Sequence, residues 1–161
     1  MSESSMNHLK RYGLADRAQV FQVSSETVEK AAAALHCEPA RIAKTLSFLV
    51  AGLPVLVVTA GDVRIDNGKF KEFFKQKAAM LPQEAVFELV GHEVGGVCPF
   101  GVKEGVKAYL DRSLKRFDFV YPACGTGASA VKLSPDELER ASEAIGWVDV
   151  CKPKPSGSPQ E

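Results

Sequence analysis

Between Thr45 and Ala60 the chain reads Thr-Leu-Ser-Phe-Leu-Val, turns through Ala51-Gly52-Leu53-Pro54, and continues Val-Leu-Val-Val-Thr-Ala. Short apolar runs rich in β-branched and aromatic residues, punctuated by glycine and proline, form strands rather than helix. A hairpin of two core strands is expected here. Neither run approaches the roughly 18–20 apolar residues of a membrane helix. At 161 residues the chain is most simply one domain, long enough to bury a real core.

Helical and strand signals alternate around the hairpin. A short helix is expected over 7–13, closed by Gly13, then a strand over 18–23. A helix over 27–35 follows, capped by Ser24 or Ser25, and a helical segment over 40–44 opened by Pro39. Asp66 caps a helix to about Gln76, with Phe70, Phe73 and Phe74 on its inner side. A short strand over 78–81 leads to a short helix over 82–89. Strands are read over 106–110, 117–122 and 128–133. Ser134-Pro135-Asp136-Glu137 has the cap, first-turn proline and acids of a helix start. That helix reaches about Ala144, and 147–150 closes as a strand. The fold expected over residues 6–150 is mixed α/β, with more antiparallel pairs than a doubly wound sheet allows. The proline- and lysine-rich tail 151–161 is expected to be disordered.

The formal net charge is zero. Gripping a long duplex wants a basic stripe, so neutrality argues against that mode while leaving contact with one nucleic-acid end open. Cys37, Cys98, Cys124 and Cys151 are scattered, without a CxxC or any Cys/His ligand spacing, and read as reduced thiols. No metal or other cofactor is expected. The N-terminus lacks a basic region followed by an apolar core, so a cytoplasmic location is expected and no membrane partner.

Three segments carry candidate chemistry. Lys44 stands where the 40–44 helix is expected to meet the first core strand. There it either snorkels to water or aims an ammonium into a pocket, against a phosphate or an ester carbonyl. In Gly95-Gly96-Val97-Cys98-Pro99-Phe100-Gly101 two glycines leave amides uncovered by a Cβ, and Pro99 biases Cys98 toward an extended conformation. Such a loop either simply turns the chain or offers donors to a bound ester. Cys124-Gly125-Thr126-Gly127-Ala128-Ser129 is a further polar glycine turn, without the Walker lysine pattern. Cys98 as a nucleophile would need a base and an orienting group, and a thiol lining the pocket is the plainer expectation.

Taken in order, these segments resemble the YbaK family, also called the prolyl-tRNA-synthetase-associated or aminoacyl-tRNA editing domain. The likeness rests on Ala43-Lys44-Thr45-Leu46, Val63-Arg64-Ile65-Asp66-Asn67-Gly68-Lys69-Phe70, the Gly95–Gly101 loop, Tyr109-Leu110-Asp111-Arg112-Ser113-Leu114, and Gly125-Thr126-Gly127 with Leu133-Ser134-Pro135-Asp136-Glu137-Leu138. The resemblance implies a compact domain with a mixed, largely antiparallel, barrel-like sheet flanked by helices. It implies metal-independent hydrolysis of mischarged tRNA, usually tRNA for proline carrying a wrong small amino acid. Its partners would be the 3′ aminoacyl-CCA end of tRNA and prolyl-tRNA synthetase, with the protein a monomer or homodimer. Lys44 looks like the family's active-site lysine, and Gly95 and Gly96 would supply amides to the scissile carbonyl. Val97, Cys98, Pro99, Phe100, Gly125, Thr126 and Phe21 would contact substrate. Water, a substrate hydroxyl or a substrate thiol would attack.

One position departs from the pattern. Some members have an acidic residue in the turn that here reads Gly127-Ala128-Ser129-Ala130. The chain is closer there to freestanding members than to the cysteinyl-tRNA deacylase branch. A non-catalytic module that holds an aminoacyl or nucleotide end, or docks on a synthetase, is the alternative reading.

Overall fold

The hairpin is the scaffold of the structure, a computed structural model that describes residues 2–22 and 27–155. In chain order, α1 (Glu3–Arg11) and a 3-10 turn precede β1 (Ala18–Val20) and α2 (Val28–Leu35). A second 3-10 turn, Pro39–Arg41, feeds β2 (Ile42–Val50) and β3 (Leu53–Ala60). β4 (Val63–Ile65), α3 (Asn67–Phe74), α4 (Gln83–Val90) and β5 (Lys107–Asp111) come next. β6 (Tyr121–Pro122), β7 (Ser129–Val131), α5 (Pro135–Ser142), β8 (Gly146–Val148) and β9 (Cys151–Pro153) complete the chain.

β2 and β3 pair antiparallel from Ala43↔Ala60 to Val50↔Leu53. Ala51 and Gly52 join them with φ of 52° and 81°, the pair of positive values that matches the twist of hairpin strands. β6 adds parallel to β2 and β5 parallel to β3, with β8 parallel beside β5. The result is a curled five-stranded sheet in the order β6-β2-β3-β5-β8, flanked by helices. The mixed α/β class agrees with the sequence. Parallel pairing nevertheless takes a larger share of this sheet than the expected antiparallel character, because β5, β6 and β8 are each reached by a crossover rather than a tight turn. Two small antiparallel pairs, β1 with β7 and β4 with β9, sit outside it.

Both faces of β3 are covered from Val55 to Ala60, as its near-continuous apolar run demands. Phe48, Val55 and Val57 join the main core with Phe70, whose ring centroid lies 4.8 Å from that of Phe48. Leu56 instead joins a second cluster with Leu81, Val86, Val90 and Ala108, beneath α4. Successive strand residues thus serve opposite faces.

Several boundaries differ from the sequence expectation. α1 begins at Glu3, because the Ser2 hydroxyl caps it by accepting from Ser5 N–H. α2 is capped by Thr27, whose hydroxyl accepts from Lys30 N–H; Ser24 and Ser25 lie outside the described residues. The helix expected over 40–44 is a single 3-10 turn ending at Arg41, and Lys44 is a strand residue. Residues 78–81 form only a bridge, Phe48↔Met80. The tail is not disordered from its first residue, for Cys151–Pro153 pairs with β4 in the register Ile65↔Cys151 to Val63↔Pro153.

α5 illustrates local signals agreeing with the fold. Ser134 Oγ accepts from Glu137 N–H at 3.1 Å and Glu137 Oε1 accepts from Ser134 N–H at 2.9 Å, a reciprocal capping box. Arg17 reaches Glu137 at 2.6 Å and ties α5 to the turn before β1. Ser134→Ala is expected to cost about 1 kcal/mol in chemical denaturation with an unchanged m-value.

Candidate active site

A cavity of about 430 Å³ lies between β2, the start of α2, the 94–97 loop and the 126–130 turn. That size falls within the usual range of small-molecule sites. Lys44 enters it from β2, opposite Thr59 in the hairpin register, and its Nζ donates to the Val63 carbonyl at 2.6 Å. Gly95 forms part of the facing wall with φ of 94°, a conformation that favours glycine. No group among the described residues accepts from the Gly95 amide. Val97 and Thr126 line the same cavity. Four residues from distant parts of the sequence, Lys44, Gly95, Val97 and Thr126, therefore meet in one space.

The other predicted residues lie outside the lining. Gly96 N–H is spent on Glu93 O at 3.0 Å, so it is not aimed at a ligand. A Cβ built on Gly96 would come within 2.5 Å of Gly125 C, Thr126 N and Thr126 Cα. Its glycine is there because two backbones cross. Gly125, with φ of 89°, is likewise closed off, since a Cβ would overlap Ser2 Oγ. Pro99 and Phe100 are buried. Phe21 is half-buried at the end of β1, where its N–H donates to Ala128 O at 2.7 Å. Lys69 is held by Asp149 Oδ1 and the Cys151 carbonyl, each at 3.1 Å.

Cys98 does not line the cavity; its side chain is fully buried. Sγ lies 3.5 Å from His92 Nε2 and 3.3 Å from Ser5 Oγ, an arrangement that superficially suggests a nucleophile and its base. The hydrogen bonds argue otherwise. His92 Nε2 is 2.6 Å from the Phe100 carbonyl, which can only accept, so that nitrogen carries the proton and cannot take one from the thiol. Ser5 Oγ and Cys98 Sγ donate to the same carbonyl at 3.3 and 3.6 Å. Burial lowers the His92 pKa and raises that of Cys98 to about 11, away from thiolate. The cluster is a structural knot joining α1, the end of α4 and the loop.

The lining also holds Thr45 of the Lys44 motif and Ser129 of the glycine turn, together with residues that carry no sequence signal. Tyr121 reaches the cavity from β6, with its phenol pKa raised mainly by burial. Thr45 lines it and has a buried Oγ1 without a hydrogen-bond partner among the described residues. Ser129 lines it too, its hydroxyl 2.9 Å from Thr126 Oγ1. Lys154 comes from the segment expected to be disordered, which is why composition hid it. Met80 and Val94 give the rim an exposed apolar lip. Among the described lining residues there is no carboxylate and no histidine.

Two measurements follow from this packing. Alkylation at pH 8 monitored by mass should spare Cys98 in the native protein and label half-buried Cys37 first; early labelling of Cys98 would refute the buried knot. Gly96→Ala should destabilise the fold by about 2 kcal/mol, read from the denaturant midpoint, because the added methyl meets backbone rather than a flexible side chain.

The family model described as the aminoacyl-tRNA editing domain matches residues 23–141. The uncharacterised protein YwhH of Bacillus subtilis strain 168 is 46% identical over 151 residues, covering 93% of this chain and 96% of YwhH. The proline–tRNA ligase of Lysinibacillus sphaericus strain C3-41 is 32% identical over 143 residues, which is 86% of this chain and 25% of the ligase. A crystal structure provisionally described as a trans-editing enzyme for prolyl tRNA synthetase superposes with a TM-score of 0.84 at 28% identity, covering 94% of this chain and 99% of that one. With a family match over most of its length and its fold shared throughout, the chain belongs to the aminoacyl-tRNA editing domain family.

Proposed function

We propose that this chain is a freestanding trans-editing deacylase, hydrolysing the ester that joins a wrong small amino acid to tRNA, with tRNA for proline as the favoured acceptor. The observation that carries the reading is the meeting at one cavity of about 430 Å³ of the Lys44 ammonium and Gly95, whose amide has no acceptor among the described residues. An ester carbonyl placed between them gains a donor and a positive charge where negative charge develops during attack. The cavity suits an aminoacyl group with part of its nucleoside, not the body of an RNA. Similarity to part of a proline–tRNA ligase supports the acceptor. The substrate would put the protein in the cytoplasm, and the reading requires no metal.

The absence of a carboxylate or histidine from the described lining shapes the mechanism. No side chain there is suited to act as a general base at neutral pH. Attack would fall to water, or to a hydroxyl or thiol of the substrate, with the protein contributing position and electrostatics. The same observation supports the second reading, a module that holds an aminoacyl end without turning it over. A deacylation screen with tRNAs carrying alanine, serine, cysteine and threonine separates the two: the first requires release of at least one amino acid, the second saturable binding with none. Lys44→Ala should lower kcat/KM by about 10²-fold or more while the protein stays folded, the lost bond to Val63 O costing only about 1–2 kcal/mol. Hydrolysis by that variant at the wild-type rate would remove the lysine from the mechanism.

A further inference from the structure

The C-terminal strand brings a second cation to the cavity. β9 pairs with β4, and Lys154 N–H then donates to Asp62 O at 3.1 Å, so the backbone remains anchored one residue beyond the strand. The carbonyl that receives Lys44 Nζ belongs to Val63, which is registered against Pro153. The next residue, Lys154, lines the same cavity as Lys44. No carboxylate stands among the described lining residues. The neighbouring Asp62 is occupied by a two-pronged bond from Arg116 at 2.6 and 3.0 Å. In a chain of zero formal charge, two ammonium groups at one concavity concentrate positive potential there.

An aminoacyl ester alone gives the second ammonium little to bind. Its reacting bond is neutral, and its α-amino group is itself a base that repels cations once protonated. A phosphodiester has the complementary charge and acceptors for an ammonium. We propose that Lys154 binds a phosphate of the RNA 3′ end that presents the ester, which makes the C-terminal strand part of the substrate site although it lies outside the family match at 23–141. The ligand class rests on the deacylase reading, but the decisive test requires no turnover.

That test is fluorescence-anisotropy binding of an uncharged RNA minihelix ending in CCA, over a salt series, with wild type, Lys154→Ala and Lys154→Arg. Lys154→Ala should weaken binding about tenfold at low salt, as for loss of one charged hydrogen bond. The slope of log Kd against log salt should fall by about 0.7–0.9, one phosphate contact. Lys154→Arg should recover most of both. Melting curves should coincide, because β9 is held by its backbone. A slope unchanged by Lys154→Ala, or no binding of the minihelix by wild type, overturns the assignment. A Lys154-dependent slope in a protein that deacylates no charged tRNA would sink the hydrolase reading alone, and deacylation with a Lys154-independent slope would sink only the phosphate contact.

Discussion

The cavity depends on a backbone crossing that tolerates no side chain. The 95–101 segment passes so close to residues 125 and 126 that position 96 must be glycine, and the crossing holds Gly95 against the cavity while Gly96 faces its neighbour. Behind the crossing, three donors converge on the Phe100 carbonyl: Ser5 from α1, Cys98 from the loop and His92 from the end of α4. A buried carbonyl satisfied this fully fixes its peptide, and removing one donor leaves the others to readjust within a packed core. The wall facing Lys44 is thereby a rigid element, although most of it is irregular in secondary structure.

Rigidity matters because the described lining residues offer position and charge, with neither a carboxylate nor an imidazole among them. The nearby thiol is driven to its protonated form and the nearby imidazole keeps its proton on the nitrogen that faces the thiol, so the two groups most suggestive of covalent chemistry are inert. On the proposed reading, whatever acceleration the protein gives must come from holding an ester near Gly95 and Lys44. Preorganised donors are effective in proportion to how little they move. A carbonyl knot and a glycine crossing provide such a frame.

The hairpin, α3, α4 and α5 were legible in the sequence because local signals and tertiary needs coincide there. Residues 45–60 carry strand formers on both faces, Asp66 and Ser134 are caps followed by suitable first turns, and Gly91 ends α4 with φ of 101°. The meeting of Lys44 with Gly95 was legible through the ordered set of motifs. What glycine does at each position was not. Gly95 and Gly96 are identical in sequence, and only the crossing at Thr126 separates an open amide from a packing gap. Cys98 was misplaced for the same reason, since the depth of a thiol depends on Ser5, ninety-three positions away. The short strands β4 and β9 escaped because few residues carry each of them, and their pairing with one another, not their propensities, makes them strands.

β9 shows how far that last point extends. Lys152-Pro153-Lys154-Pro155 has the composition of a solvated tail, and nothing in its own chemistry would order it. Its order comes from β4, which immediately follows the hairpin and presents Val63, Arg64 and Ile65 as an open edge. Covering that edge removes a liability of exposed strands, and it also leaves Lys154 beside the carbonyl that anchors Lys44. Edge protection and the placement of a second ammonium are thus consequences of one pairing. The ordered fold accordingly extends past residue 150, where composition alone would stop, because β9 carries the pairing to Pro153.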